Sequence, residues 1–141
     1  MNVEVEIRAA RTDELPALLG LWAQARSLAA SVPDDEPALT ALLARDPQAL
    51  LVADDGGELV GTLIAAWDGW RGNMYRLAVA RDRRRRGIAR ALVRRGEEHL
   101  RAQGARRVTA LVVDTDEPAV ELWRAAGYAR DDNVGRFVRN L

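Results

Sequence analysis

The chain has 141 residues, 48% of them hydrophobic, and no cysteine, so one domain can bury its own core, and disulfide scaffolds, thiolate metal sites and cysteine nucleophiles are excluded. With a single histidine, His99, and all 21 cationic side chains arginine, a polyhistidine metal site, a Ser-His-Asp hydrolase and the lysines of P-loop kinases and Schiff-base enzymes all fit badly. The formal net charge of +0 hides an asymmetry, because residues 71–107 carry 13 arginines against Asp82, Glu97 and Glu98; a neutral chain with one basic segment points to one anionic ligand held in one place.

In chain order, Val3, Val5 and Ile7 alternate with Asn2, Glu4, Glu6 and Arg8, the pattern of a half-buried strand. This opening does not read as a signal peptide. No stretch approaches the roughly 18 uninterrupted apolar residues of a membrane helix, so the expected location is the cytoplasm. Thr12 is placed to cap a helix whose buried face is Leu15, Leu18, Leu19, Trp22 and Ala25. Residues 31–37, with two prolines and three consecutive acids, predict a loop. A second helix carries Leu39, Leu42 and Leu43 and stops at Asp46 and Pro47. Strands follow at 49–53 and 59–67, joined by the hairpin signature Asp55, Gly56, Gly57. Residues 68–73 form a second turn into a strand at 74–80. The remaining elements are a helix at 87–103, a strand at 108–113, a helix at 117–126 and two short strands at 127–130 and 135–138. An antiparallel first half followed by strand–helix–strand units describes an α/β fold, a mixed sheet with helices on both faces.

The chemistry concentrates after the strand ending near Val79. An arginine-rich loop leads to Gly87 where a helix begins. A helix start presents unpaired N–H groups and partial positive charge, and glycine lets a phosphate approach the backbone. The alternative is a solvated basic run at a helix start; the position between an apolar strand and an amphipathic helix favours phosphate.

Here the chain resembles the GNAT superfamily of acetyl-CoA-dependent N-acetyltransferases. Arg84, Arg85, Arg86, Gly87, Ile88 and Ala89 match that family's Arg/Gln-x-x-Gly-x-Gly/Ala signature, with Leu77, Ala78 and Val79 as the strand before it. A second family pattern, Asn-x-x-Ala-x-x-Leu-Tyr-x-x-x-Gly-Phe/Tyr, is approached by Asp116, Ala119, Leu122, Trp123, Gly127 and Tyr128. The turn at residues 68–72 looks like that of small stand-alone bacterial acetyltransferases of the YpeA type. The resemblance covers the whole chain, 1–141, as one domain. It implies a mostly antiparallel central sheet flanked by helices on both faces, with a splay between strands 4 and 5. It further implies that Leu77, Ala78 and Val79 line the pantetheine arm of acetyl-CoA, and that the amides of residues 85–90, Arg90 included, hold its pyrophosphate.

Two departures shape the expected chemistry. Asp116 replaces the family's asparagine; it serves either the coenzyme or simply the helix N-cap. Trp123 stands where the family's general-acid tyrosine would be, and an indole N–H does not ionise usefully. It is expected both to pack in the core and to lie beside the thioester, with water protonating the leaving thiol. The strand at 74–80 lacks the glutamate that serves many relatives as base, leaving Asp68 and Asp114 as substitutes. His99 reads as surface or helix end, Tyr128 as core, and Tyr75 as either packing or reaching the site. The expected reaction is direct attack by a primary amine, of a small molecule or a peptide, on acetyl-CoA in a ternary complex, with no metal. The alternative is a CoA or acyl-CoA sensor of the same fold without catalysis. Balanced charge and the lack of an aromatic stacking row argue against nucleic acid, no membrane is involved, and a homodimer is compatible with the family. Asp34, Asp35 and Glu36 would suit a cationic acceptor or belong to a solvated loop.

Overall fold

The computed structural model describes residues 5–25 and 34–141. Its elements run β1 (Val5–Ala9), α1 (Leu15–Ala25), α2 (Glu36–Arg45), β2 (Leu50–Asp55), β3 (Glu58–Trp67), β4 (Gly72–Val79), α3 (Ile88–Gln103), β5 (Val108–Ala110) and α4 (Glu117–Ala125), with single 3-10 turns at Thr12–Glu14 and Arg81–Arg83. The expected first strand is present from Val5; its residues 2–4, and residues 31–33 of the expected loop, lie outside the described residues. The sheet order is β1-β2-β3-β4-β5, with β1 to β4 antiparallel and β5 parallel to β4.

Strand alternation sends successive side chains to opposite faces, and β2 uses both. Leu51 and Ala53 join Leu63, Ala65, Met74, Leu92, Val93, Leu100 and Trp123 in a core beneath α3 and α4. Leu50 and Val52 join Leu15, Leu18, Trp22, Leu39, Leu43 and Ile64 beneath α1 and α2. Helices therefore cover both faces, as the alternating pattern predicts. On the α3 face the helix comes very close: a Cβ at Gly96 would stand 2.8 Å from Leu63 Cδ2 and 2.9 Å from Met74 Cε.

Three expectations are corrected. Thr12 is not the cap of the first helix. Glu14 does that work, accepting the Arg11 N–H at 2.9 Å, because Arg8 holds its carboxylate in place at 2.6 and 3.0 Å while also binding Asp54 at 3.0 Å. The strand expected at 108–113 stops at Ala110, since the Val113 carbonyl turns to accept the Asp116 N–H. The two strands expected at 127–130 and 135–138 do not form. Val134, Phe137, Val138 and Leu141 are all exposed, and a three-residue β5 offers too short a ladder to organise them.

Candidate active site

The site is made by a pairing that ends early. β4 and β5 are matched only at Gly72–Val108, Asn73–Thr109 and Met74–Ala110, with one last contact from the Leu111 N–H to the Met74 carbonyl at 3.4 Å. Beyond Met74, β4 keeps β3 alone as a partner among the described residues, so a gap opens along residues 75–79. In the same stretch β4 bulges against β3, because Thr62 faces Ala78 while Ile64 faces Tyr75. Arg76 takes up the extra residue at φ 58°, a conformation that costs an L-residue roughly 1–2 kcal/mol. Leu77 and Val79 pack toward α3 and Ala78 toward α1, which leaves the backbone of these three predicted residues running beside the gap.

Just past Val79 the chain makes the turn that the arginine pattern marked. Arg83 does not face a ligand: it bonds Asp55 at 3.1 Å, Glu58 at 2.9 Å and Asp82 at 2.6 Å, pinning the turn to the β2–β3 hairpin. The Nε of Arg84 folds back on the Val79 carbonyl at 3.2 Å. Arg85 and Gly87 then adopt left-handed backbone at φ 66° and 80°, and Gly87 is the N-cap of α3. Among the described residues no backbone N–H from Arg85 to Arg90 finds a protein acceptor; the first bond of the helix runs from Ala91 to the Gly87 carbonyl at 3.0 Å. A Cβ at Gly87 would meet nothing within 4 Å. The side chains of Arg85, Arg86 and Arg90 are exposed and form no ion pair among the described residues. Ile88 is buried and Ala89 half-buried, so they offer backbone only. Free amides, open space and unpaired guanidinium groups fit a pyrophosphate.

Across the gap, the Asp116 carboxylate accepts the Ala119 N–H at 3.2 Å and caps α4, the N-cap reading of that residue. A surface depression is lined by Thr115, Asp116, Glu117 and Pro118. Trp123 is 6% exposed and meets Tyr128 edge-on, ring centres 4.8 Å apart. The Tyr128 phenol donates to Glu97 at 2.6 Å; burial, and then that carboxylate, push it well above the ordinary tyrosine range. It is therefore a poor proton donor. Tyr75 packs with the α1 core.

The remaining carboxylates have other work. Asp68 lies in the β3–β4 turn, at the end of β4 opposite the gap, where it accepts the Arg71 and Trp70 N–H groups at 2.6 and 2.8 Å. Those bonds, Arg71's first, lower its proton affinity, the wrong direction for a base. Asp114 is exposed and paired with Arg130 at 2.8 Å. His99 lies on α3, bound to Asp46 at 2.8 Å with Gln103 alongside, far down the helix from Gly87. The acids ahead of α2 are not a free cluster: Asp34 grips Arg76 through two bonds of 2.8 and 3.0 Å, and Asp35 caps α2 through the Ala38 N–H. Among the described residues no group of three His, Cys, Asp or Glu side chains is placed to hold a metal, and no helix is long and apolar enough to cross a membrane.

Sequence reasoning missed Thr62, Trp22 and Arg76 as a unit. The Trp22 indole donates to Thr62 Oγ1 at 2.7 Å, and Thr62 donates to the Arg76 carbonyl at 2.9 Å. One available signal was a threonine, Thr62, at a position where strand alternation predicts an apolar side chain.

A mixed sheet that opens beside an anion-receptive helix start is an architecture that known proteins share. An aminoglycoside N-acetyltransferase solved in complex with CoA superposes with a TM-score of 0.75, at 18% identity, over 100% of this chain and 98% of that one. An acetyltransferase of Sodalis glossinidius is 34% identical over 130 residues, 92% of this chain and 91% of that protein. Another, of Photorhabdus laumondii, is 35% identical over 124 residues, 88% and 86% of the two chains. The model of the acetyltransferase (GNAT) family matches residues 15–128. The chain belongs to that family of acyltransferases.

Proposed function

We propose that the chain, acting over its whole length as one catalytic domain, moves an acetyl group from acetyl-CoA to a primary amine by direct attack in a ternary complex. The observation that carries this reading is the gap along residues 75–79 meeting the unbonded amides of residues 85–90 at one end of β4. The amides and Arg85, Arg86 and Arg90 would hold the pyrophosphate, and the backbone of Leu77, Ala78 and Val79 would flank the pantetheine arm. A backbone N–H of β4 would then face the carbonyl oxygen as it gains charge. Holding both reactants together supplies the main advantage, and no covalent enzyme intermediate is required of a chain without cysteine. Trp123 acts as packing beside the thioester, and water returns the proton to the thiol. Attack requires a neutral amine. Asp68 is engaged in the β3–β4 turn and Asp114 is paired with Arg130, which favours release of that proton to solvent.

Calorimetric titration with CoA, followed by a thiol-release assay over a panel of amines and peptides, tests this. Micromolar CoA binding with acetyl transfer to at least one amine is expected. CoA binding with no transfer to any acceptor would favour a sensor, and no CoA binding would end the proposal.

A further inference from the structure

The bulge in β4 is held in place by a buried relay whose direction is fixed by donor chemistry. An indole N–H can only donate, so Thr62 Oγ1 must accept from Trp22 at 2.7 Å. That leaves the single hydroxyl proton of Thr62 for the Arg76 carbonyl at 2.9 Å. Thr62 is fully buried and Trp22 is 2% exposed, so water cannot replace either partner. Arg76 is pinned a second time through its guanidinium, by Asp34.

The Arg76 carbonyl and the Leu77 N–H belong to one peptide plane, and the chain has no cis peptide bond among its described residues. In a trans peptide the two groups point in opposite directions. A carbonyl drawn toward Thr62 on β3 therefore aims the Leu77 N–H away from β3, toward the side where pairing with β5 has already ended. We infer that Thr62, oriented by Trp22, is a positioning residue for acetyl transfer: its hydroxyl fixes the peptide plane that presents the Leu77 N–H to the reacting carbonyl. This rests on the acetyl-transfer reading above and assigns the residue that sets its geometry.

Thr62→Val keeps the shape and removes the hydroxyl, while Thr62→Ser keeps the hydroxyl and removes the methyl. Direct oxyanion donors are worth about 10²–10³ in rate, so loss of an indirect positioner is expected to lower kcat by about 10- to 100-fold. The KM for acetyl-CoA and the affinity for CoA should both stay within about twofold, because neither depends on the carbonyl contact. Thr62→Ser should recover most of the turnover. The Leu77 amide resonance should shift in Thr62→Val and stay near its wild-type position in Thr62→Ser. If Thr62→Val fails to fold, Trp22→Phe, which frees the hydroxyl to rotate, should lower kcat and shift the same amide. The inference is overturned by wild-type kcat in a folded Thr62→Val, by equal losses in Val and Ser, or by an unmoved Leu77 amide in the valine variant. A wild-type protein that transfers no acetyl group would sink the proposed function instead, and the amide resonance would still decide whether Thr62 sets this plane.

Discussion

The two ends of β4 are built on opposite plans. At its start, Gly72, Asn73 and Met74 are paired on both edges, Met74 is fully buried, and the adjoining turn is closed by Asp68. At its end, residues 75–79 have lost one neighbour, Arg76 is in left-handed backbone, and beyond the short turn the amides of residues 85–90 have no protein acceptor among the described residues. The far end satisfies its polar groups internally; the near end withholds them. A site of this kind depends less on reactive side chains than on backbone groups that the fold declines to pair.

The sharpest way to break this contrast is at the wall shared by β4, α3 and α4. Trp123→Ala is expected to cost about 3–5 kcal/mol of stability, as removal of a buried aromatic does, read from denaturant unfolding. In Trp123→Tyr, a new alkaline limb near pH 10 is expected in turnover if the restored phenol becomes a proton donor. The wild type should show none, because Tyr128 holds its proton against Glu97. A wild-type limb near that value would assign proton donation to a phenol already present.

Next comes the near end itself. Gly87→Glu is expected to weaken CoA binding by at least tenfold, about 1.4 kcal/mol, since it sets a like charge where phosphate must lie. Gly87→Asn tolerates left-handed backbone without adding charge and should bind more tightly than the glutamate variant. Equal affinity in wild type and a folded Gly87→Glu would remove the phosphate cradle from this turn.

The far end should behave as structure only. Burial draws the Asp46 carboxyl upward, but bonds from His99, Gln48 and Gln103 outweigh it and hold the group below its ordinary range. A lowered folded value means stability that is present above the unfolded value near 3.9 and lost as pH falls through the folded one. Asp46→Asn should therefore flatten the acid side of the stability profile and cost about 1 kcal/mol at neutral pH, with CoA affinity unchanged. Asp68→Asn is the smallest effect expected: turnover within about twofold of wild type, under half a kcal/mol of barrier. A larger fall, with the turn intact, would restore Asp68 as a base.

Much of this frame was legible in advance because it follows from periodicity. Val5 and Ile7, the hairpin at Gly56 and Gly57, and the apolar face of α3 each announce themselves within a dozen residues. The gap did not. Residues 108–113 are as strand-like after Ala110 as before it, and pairing is decided by a neighbour more than 30 residues away. The arginines were equally mute about their roles: Arg83 is taken by Asp55 and Glu58, 28 and 25 positions distant, while Arg85 and Arg86, two and three places on, form no ion pair among the described residues. Nor does any local pattern mark Arg76 as the residue that carries the bulge. The tail shows the reverse failure, where short strands were expected at 127–130 and 135–138 and no ladder exists to receive them.

The close seat of α3 at Gly96 carries a mechanical consequence. From Gly87 to Gly96 the helix is a rigid arm of about 13 Å at 1.5 Å per residue, with the anion-facing turn at its tip and this glycine as its fulcrum. A methyl at 96 would press on Leu63 Cδ2 at 2.8 Å, where carbon atoms ordinarily rest about 3.5–4.0 Å apart. If the tips of Leu63 and Met74 did not give way, α3 would have to lift off the sheet at this point, and the anion-facing turn would move with it. The smallness of residue 96 thus bears on where the start of α3 stands, about two and a half turns away, as a shim bears on a lever.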